Sequence, residues 1–319
     1  MQKRILGKTG IEVTPIGFGV LTMGRTQLNL PLNEGAAVLR YALDRGINFL
    51  DTAQYYGTYP YIKLALKGFN GTPAVVSKSL DFTYQEMKYA VEEARREMDL
   101  DIIDIFLLHE VRSIEDWKNR TGAWEYLQEA KARGIIKAVG ISTHHVDVAG
   151  FAAENPDSDI LFPLINFKGI GIRKGTASGS SEEMLSAIKK AAANGQGIFA
   201  MKVFGGGILI GSYREAMKYI MSINEITSMM IGFGNFEEVD RAIEMAEGTL
   251  DESYVPDLSM KKIWIDQGDC EGCGACSERC PNHAIFFNKQ GLANINYGLC
   301  LTCGYCAPVC PVRAIIMIG

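Results

Sequence analysis

The sequence predicts an α/β protein whose first 250 residues form a closed (β/α)8 TIM barrel with an N-terminal β-hairpin. Short apolar segments alternate with amphipathic helical segments at a steady interval, and eight apolar segments can be counted. A stretch of this length is the size of one such barrel. No apolar segment is followed by the G-x-G-x-x-G pattern of a doubly wound sheet, and no P-loop occurs. A closed barrel is therefore favoured over an open sheet.

The expected elements follow in chain order from a hairpin that turns at residues 8–10. The first barrel strand ends at residues 17–19. The other seven are predicted at Phe49–Ala53, Ala74–Lys78, Ile103–His109, Ile136–Ser142, Ile160–Asn166, Ile198–Phe204 and Met229–Gly232. Helical patterns between them include Ala36–Arg45, Gln85–Met98 and Glu182–Ala193.

All eight cysteines lie near the C-terminus, in a motif that is written twice. The pattern C-x2-C-x2-C-x3-C-P begins at Cys270 and again at Cys300. This is the run of two-cluster bacterial ferredoxins, in which the fourth cysteine binds the other cluster. We therefore expect two [4Fe-4S] clusters, with the ligand sets Cys270, Cys273, Cys276 and Cys310, and Cys300, Cys303, Cys306 and Cys280.

Two other uses of cysteine fit this spacing poorly. Zinc sites use two separated cysteine pairs, whereas here three closely spaced thiols are joined by a distant fourth. A disulfide framework would require an oxidising compartment, and the N-terminus does not resemble a signal peptide. We expect residues 263–319 to form a small α+β ferredoxin-like domain. Residues 251–262 lose periodicity and contain Pro256, which predicts a linker.

The net charge and the hydropathy of the chain indicate which classes of binding partner are expected. The net charge of −5 offers no basic face for nucleic acid. No apolar run approaches the roughly 18 residues that a membrane-spanning helix needs. The expectation is a cytoplasmic protein with neither nucleic-acid nor membrane partners.

Ionisable side chains close three successive predicted strands or follow them closely. Asp51 closes the second strand, Tyr56 follows it, Lys78 closes the third and His109 closes the fourth. Each alone has an ordinary explanation as a helix cap, a packed ring, a solvated ammonium or a core histidine. In a barrel, however, polar groups at the C-terminal ends of strands are where chemistry is expected.

These residues together resemble the aldo-keto reductase family. The matching motifs are Asp51-Thr-Ala-x-x-Tyr56-Gly57, a lysine (Lys78) in an apolar strand, and Leu107-Leu108-His109. The resemblance covers about residues 1–250, and the whole chain is similar to the subgroup with a C-terminal ferredoxin-type extension. It implies an oxidoreductase that interconverts a carbonyl and an alcohol on a small molecule, with Tyr56, Lys78, Asp51 and His109 as catalytic residues.

The chemistry of these four groups supports that role independently. A carbonyl that accepts hydride develops alkoxide charge and needs a proton donor at its oxygen. Tyr56 is the expected donor, and Tyr55 is the neighbouring candidate. Lys78 is expected to lower the phenol pKa from its ordinary value of about 10. Asp51 would hold Lys78 in place, and His109 would orient the carbonyl or share the proton.

The resemblance also implies a nicotinamide cofactor, NAD(P)H. Ser142 and Asn166 would hold its carboxamide. Its phosphates would lie at two loops after the seventh and eighth strands, on Lys202, Gly205, Gly206, Gly207, Gly232, Gly234 and Asn235. Glu238 stands where the family usually has an arginine or glutamine near the 2′-phosphate of NADP. The glycine-rich loops also match the general barrel phosphate site that can hold FMN.

Three functions remain open at this point. The first, which we favour, is NAD(P)H-dependent carbonyl reduction, or the reverse, with an appended iron–sulfur domain. The second is a flavin-containing barrel that exchanges electrons with a ferredoxin or another redox protein through the clusters. The third is a non-catalytic electron-transfer subunit, and the presence of all four catalytic residue types argues against it.

Overall fold

A computed structural model describes residues 1–25, 27–257, 262–302 and 304–318. Its strands, in chain order, are β1 (Arg4–Ile5), β2 (Glu12–Val13), β3 (Ile16–Gly19), β4 (Phe49–Asp51), β5 (Ala74–Ser79), β6 (Ile103–Leu108), β7 (Ile136–Thr143), β8 (Ile160–Pro163), β9 (Arg173–Lys174), β10 (Ala177–Ser178), β11 (Gly197–Ala200), β12 (Ser228–Ile231), β13 (Lys262–Ile265), β14 (Ile285–Phe287), β15 (Ala293–Ile295) and β16 (Ile315–Ile318).

The α-helices of the described residues connect these strands. They are α1 (Leu32–Asp44), α2 (Tyr59–Leu66), α3 (Tyr84–Met98), α4 (Ile114–Asn119), α5 (Thr121–Ala132), α6 (Val146–Glu154), α7 (Ser181–Ala193), α8 (Tyr213–Met221), α9 (Phe236–Glu247) and α10 (Ala275–Arg279). None of these helices has both the length and the apolar composition needed to cross a membrane.

The predicted barrel is confirmed. Eight parallel strands close in the order β11-β12-β3-β4-β5-β6-β7-β8. The predicted hairpin is formed by β1 and β2, which pair antiparallel. Because every neighbouring pair in the barrel is parallel, the C-terminal ends of all eight strands meet at one mouth.

Two predicted strands end earlier than expected. The strand predicted at Ile160–Asn166 ends at Pro163, and the one predicted at Ile198–Phe204 ends at Ala200. After β11 the chain turns at once, since Lys202 and the three glycines 205–207 all have positive φ, and the Gly205 N–H donates to the Lys202 carbonyl over 2.7 Å. Left-handed backbone cannot continue a strand.

Aromatic rings fill the barrel interior. Phe162 and Phe199 stack with ring centroids 4.1 Å apart, and Phe49 meets Phe199 edge-on at 5.0 Å. All three side chains are buried. The outer core, between strands and helices, is built from the apolar faces of the helices, such as Met87, Val91 and Met98 on α3.

In its described residues, the C-terminal domain has two antiparallel strand pairs and one short helix. β13 pairs with β16, and β14 pairs with β15. Buried isoleucines from these strands form its core. The predicted 251–262 linker falls partly on residues 258–261, and Cys303 is a predicted cluster ligand; all of these lie outside the described residues.

The C-terminal domain packs against the barrel mouth. The Met317 N–H of β16 donates to the Gly206 carbonyl over 2.7 Å. A Cβ added to Gly207 would lie 2.6 Å from the Met317 carbonyl oxygen. The loop after β11 is therefore in direct backbone contact with the last strand of the chain.

We expect Phe199→Ala to lower the free energy of unfolding by about 3–5 kcal/mol, because it removes the ring that both other aromatic side chains contact. The measurement is urea unfolding followed by far-ultraviolet circular dichroism. Tyr89→Ala is the control: this side chain is 58% exposed on α3, and a change within about 0.5 kcal/mol is expected. Equal losses in the two variants would contradict the assignment of Phe199 to the barrel core.

Candidate active site

Three neighbouring barrel strands bring the four predicted catalytic residues together. Asp51 is the last residue of β4, Lys78 is the penultimate residue of β5, and His109 directly follows β6. Tyr56 ends a 3-10 helix (Gln54–Tyr56) that begins just after β4, and Gly57 stops this helix with φ of 66°. Glycine adopts that left-handed conformation without penalty. Strand pairing in the order β4-β5-β6 then places all four side chains at one part of the mouth.

A buried ion pair joins two of them. The Lys78 Nζ donates to Asp51 Oδ1 over 2.5 Å and to the Thr52 carbonyl over 2.6 Å. Burial lowers the pKa of Lys78 and raises the pKa of Asp51, and the charge of each partner opposes these changes. An ammonium held by two oxygens in a buried site has a fixed position.

Tyr56 and His109 form the second contact. The Tyr56 hydroxyl lies 3.3 Å from His109 Nε2, and the two rings meet at 80° with centroids 5.4 Å apart. The Lys78 Nζ is 5.1 Å from the centroid of the Tyr56 ring. Burial and the nearby positive charge of Lys78 lower the pKa of His109 well below its ordinary value, so its imidazole is neutral.

The pKa of Tyr56 is shifted in the direction opposite to the one expected from a nearby Lys78. Burial raises the pKa of Tyr56 well above its ordinary value of about 10, and the charges of Asp51 and Glu110 add to the rise. The Lys78 charge is largely compensated by its contact with Asp51. Tyr56 therefore carries its proton at neutral pH, which is the state that a proton donor requires.

Tyr55, the other candidate proton donor, points elsewhere. Its side chain is 41% exposed. A Cβ added to Gly268 of the C-terminal domain would lie 2.1 Å from the Tyr55 hydroxyl. Tyr55 thus contacts the second domain, and Tyr56 alone faces His109.

Arg120 is a supporting residue that the sequence did not single out. It is buried, its Nη1 donates to the His109 carbonyl over 2.7 Å, and its Nε donates to Asp116 over 2.8 Å. It fixes the backbone at the end of β6. Arg120 lies at the start of α5, eleven residues after His109 and outside any strand-end motif. No sequence pattern therefore marked it as part of the site.

Ser142 and Asn166, the predicted carboxamide ligands, are both buried and both engaged within the protein. Ser142 Oγ accepts the Glu110 N–H over 2.8 Å. The Asn166 side chain bonds the backbone N–H and carbonyl of Ile170 over 3.0 and 2.9 Å. In this arrangement they stabilise the loops around the mouth, so a bound amide would have to share or replace these contacts.

The two predicted phosphate loops differ in their surroundings. In the first, Gly205 packs on Leu209, while Gly206 and Gly207 lie against β16. In the second, Gly232 packs on Thr22 and Asn235 caps α9 by accepting the Glu238 N–H over 2.9 Å. The Glu238 carboxylate itself accepts the Gly234 N–H over 2.7 Å. A carboxylate therefore already stands at the N-terminus of α9, where an anionic ligand would be favoured.

Seven of the cysteines line two separate pockets in the C-terminal domain. One is lined by Cys270, Cys273, Cys276 and Cys310. The other is lined by Cys280, Cys300 and Cys306. Each pocket thus includes one cysteine from the opposite half of the repeat, Cys310 in the first and Cys280 in the second.

The walls of both pockets combine thiols with apolar side chains. Among the described residues, no three Cys, His, Asp or Glu side chains are arranged to hold one metal ion. Thiolates around an iron–sulfur cube must stand apart to leave room for it. The apolar remainder of each wall, such as Ile265 and Ile315 in the first pocket, suits a cluster shielded from water.

Comparison with known proteins agrees with both halves of the structure. The model of the Aldo/keto reductase family matches residues 15–219. The chain belongs to this family. A 4Fe-4S dicluster domain matches residues 266–314, so the C-terminal part is an iron–sulfur domain.

Individual relatives of this aldo-keto reductase have low sequence identity to it but match most of its length. L-galactose dehydrogenase of Arabidopsis thaliana is 24% identical over 290 residues, covering 76% of this chain and 87% of the relative. D-threo-aldose 1-dehydrogenase of a Pseudomonas species is 24% identical over 237 residues, covering 64% and 69%. A crystal structure described as an aldo-keto reductase of Pseudomonas aeruginosa is 25% identical with a TM-score of 0.66, covering 78% of this chain and 96% of that one. The chain is therefore an oxidoreductase with an appended iron–sulfur domain.

Proposed function

We propose that this protein uses NAD(P)H to interconvert a carbonyl and an alcohol on a small molecule at the barrel mouth. The observation that carries the proposal is the contact between a protonated Tyr56 and a neutral His109, beside the buried Lys78–Asp51 pair. The named activities of the two relatives, both dehydrogenases of sugars, support a hydroxylated substrate of similar size.

Each of the four side chains has a separate role in the proposed reaction. A nicotinamide bound at the mouth supplies or accepts hydride. Tyr56 donates the proton to the carbonyl oxygen as negative charge develops there, and it accepts the proton in the reverse direction. Neutral His109, 3.3 Å away, donates a second hydrogen bond or relays that proton. Lys78 stabilises the tyrosinate that is left, and Asp51 holds Lys78 in position.

Tyr56→Phe should lower kcat for carbonyl reduction by at least about a hundredfold, because it removes the proton donor and keeps the ring. The measurement is NAD(P)H oxidation with a panel of small aldehydes, together with the iron content of the variant. Tyr55→Phe is the matched control, since its hydroxyl faces the C-terminal domain, and it should stay within about twofold of the wild type. Equal turnover in the two variants would remove the catalytic role of Tyr56.

The position of Glu238 suggests a preference for NADH over NADPH. Its carboxylate occupies the Gly234 N–H at the start of α9 and would repel a 2′-phosphate bound there. We expect Glu238→Gln to lower the KM for NADPH by about threefold to tenfold while changing the KM for NADH little. An unchanged ratio of the two KM values would show that the 2′-position lies away from α9.

The iron–sulfur domain is proposed to carry two [4Fe-4S] clusters with crossed ligation. One would be held by Cys270, Cys273, Cys276 and Cys310, and the other by Cys300, Cys303, Cys306 and Cys280. The grouping of seven of these thiols around two pockets supports the assignment.

Crossed ligation predicts which variants share a defect. Cys280→Ala should alter the same electron paramagnetic resonance signal as Cys300→Ala, and Cys310→Ala should alter the same signal as Cys270→Ala. The measurement is the spectrum of dithionite-reduced protein purified without oxygen. If Cys280→Ala instead matches Cys273→Ala, each half of the repeat binds its own cluster.

The clusters are proposed to exchange electrons with a separate redox protein. Hydride transfer moves two electrons together, whereas each cluster passes one at a time. Apolar side chains are exposed in the domain that carries the clusters, with Leu301 at 70% and Tyr305 at 57%, close to the pocket lined by Cys300 and Cys306. Exposed aromatic and aliphatic groups are typical of contact surfaces between proteins.

A further inference from the structure

Each domain contributes one positively charged side chain to the region of the barrel mouth, Lys202 from the barrel and Arg313 from the iron–sulfur domain. Lys202 follows β11, and Arg313 lies just before β16 in the iron–sulfur domain. The Arg313 side chain covers Gly171, where an added Cβ would lie 1.5 Å from its Nε. Burial and then the charge of Arg313 lower the pKa of Lys202 to about 8, while the charges of Asp269, Glu110 and Asp266 act in the opposite direction.

Neither cation has a counter-charge in contact. Over the described ranges, no carboxylate lies within 4 Å of either side chain and no hydrogen bond is made by Lys202 Nζ or by the guanidinium. Arg313 is 6% exposed, and its Nη1 is buried without a partner. A buried cation without a counter-charge is costly, which applies to Arg313, whereas Lys202 is only partly buried.

The carboxylates near the two cations form no ion pair with either of them. Glu110 contacts Arg112 at 3.3 Å and lies 3.6 Å from His144 Nδ1. Asp269 influences Lys202 electrostatically but forms no ion pair with it. An anion that is not part of this chain would satisfy both cations.

The internal repeat shows that the buried position of Arg313 is not a requirement of the iron–sulfur fold. His283 occupies the corresponding place in the other half, three residues after Cys280 as Arg313 is three residues after Cys310. Both have left-handed backbone, with φ of 49° and 61°. His283 is exposed, whereas Arg313 is buried. The shared backbone belongs to the repeat, and only the Arg313 side chain reaches the barrel.

The pair also lies beside the reacting groups. The charge of Lys202 contributes to the lowered pKa of His109. The Lys202 carbonyl is 3.4 Å from the Asn166 side-chain nitrogen, in the loop that Arg313 covers. A ligand held by the two cations would therefore be close to Tyr56 and His109.

We propose that Lys202 and Arg313 form a binding site for an oxyanion, a phosphate or carboxylate of the ligand that enters the barrel mouth. The iron–sulfur domain thereby supplies a binding residue to the barrel. This inference rests on the proposed function, in which the mouth is the ligand site, and it adds the charge class of that ligand. The oxyanion belongs either to the diphosphate of the cofactor or to the substrate.

Calorimetric titration of the full-length protein, purified without oxygen with its clusters, tests the site. The first probe is inorganic phosphate at low ionic strength. Lys202→Met and Arg313→Gln should each weaken phosphate binding by about tenfold to a hundredfold, the expected effect of losing one charge-assisted hydrogen bond. Arg313→Lys should retain part of the affinity. His283→Gln, at the matched exposed position, should bind phosphate like the wild type.

Two further probes distinguish the sources of the oxyanion. Weaker binding of ADP-ribose by Arg313→Gln assigns the site to the cofactor diphosphate. Loss of the preference for glyceraldehyde 3-phosphate over glyceraldehyde, with ADP-ribose unaffected, assigns it to the substrate.

Phosphate that fails to bind the wild type, or that binds the wild type and both cation variants alike, would overturn the proposal. If Arg313→Gln loses iron or secondary structure, the phosphate affinity of Lys202→Met tests the proposal instead. Lys202 lies in the barrel, so its replacement should leave the iron–sulfur domain intact. Tyr56→Phe should bind phosphate normally. A wild type that binds phosphate but reduces no carbonyl would disprove the proposed function while leaving the oxyanion site in place.

Discussion

Closure of the parallel barrel is the constraint on which the rest of the structure depends. It brings eight strand ends to one mouth, so residues more than fifty positions apart, such as Tyr56 and His109, come into contact. It also removes water from the space between β4 and β5, where Lys78 and Asp51 must then satisfy each other. The chemistry at the mouth follows from that exclusion of water. It keeps the phenol protonated, the imidazole neutral and the ammonium fixed.

The barrel mouth also provides the surface on which the iron–sulfur domain packs. Loops at a barrel mouth are free to vary, and here the loop after β11 is built of glycines that allow close backbone approach by β16. The same contact brings Arg313 over Gly171 and Tyr55 against Gly268. The two domains therefore contact each other at the mouth, and a change in the iron–sulfur domain can alter the shape and charge there.

Two places at the mouth differ in the charged side chains that they present. At α9 the chain supplies its own carboxylate, Glu238, to the backbone N–H of Gly234. Among the described residues, neither Lys202 nor Arg313 forms an ion pair, although Glu110 and Asp269 act on both of them electrostatically. A ligand with one oxyanion would be attracted to the second position and repelled from the first.

Much of this protein could be predicted from its sequence alone. The alternation of apolar strands and amphipathic helices determined the barrel, because each element must bury one face. The strand-end residues Asp51, Lys78 and His109 and the doubled cysteine motif are local patterns, and the structure brings the first three together and groups seven of the eight cysteines as the motif implies. The tertiary structure decided what depends on distant contacts. The pKa of Tyr56 rises because of burial and, after it, the charges of Asp51 and Glu110. Arg120 and Arg313 matter because chain closure and domain packing place them beside residues that are far away in sequence. Such contacts leave no local pattern, since they are set by the packing of whole elements.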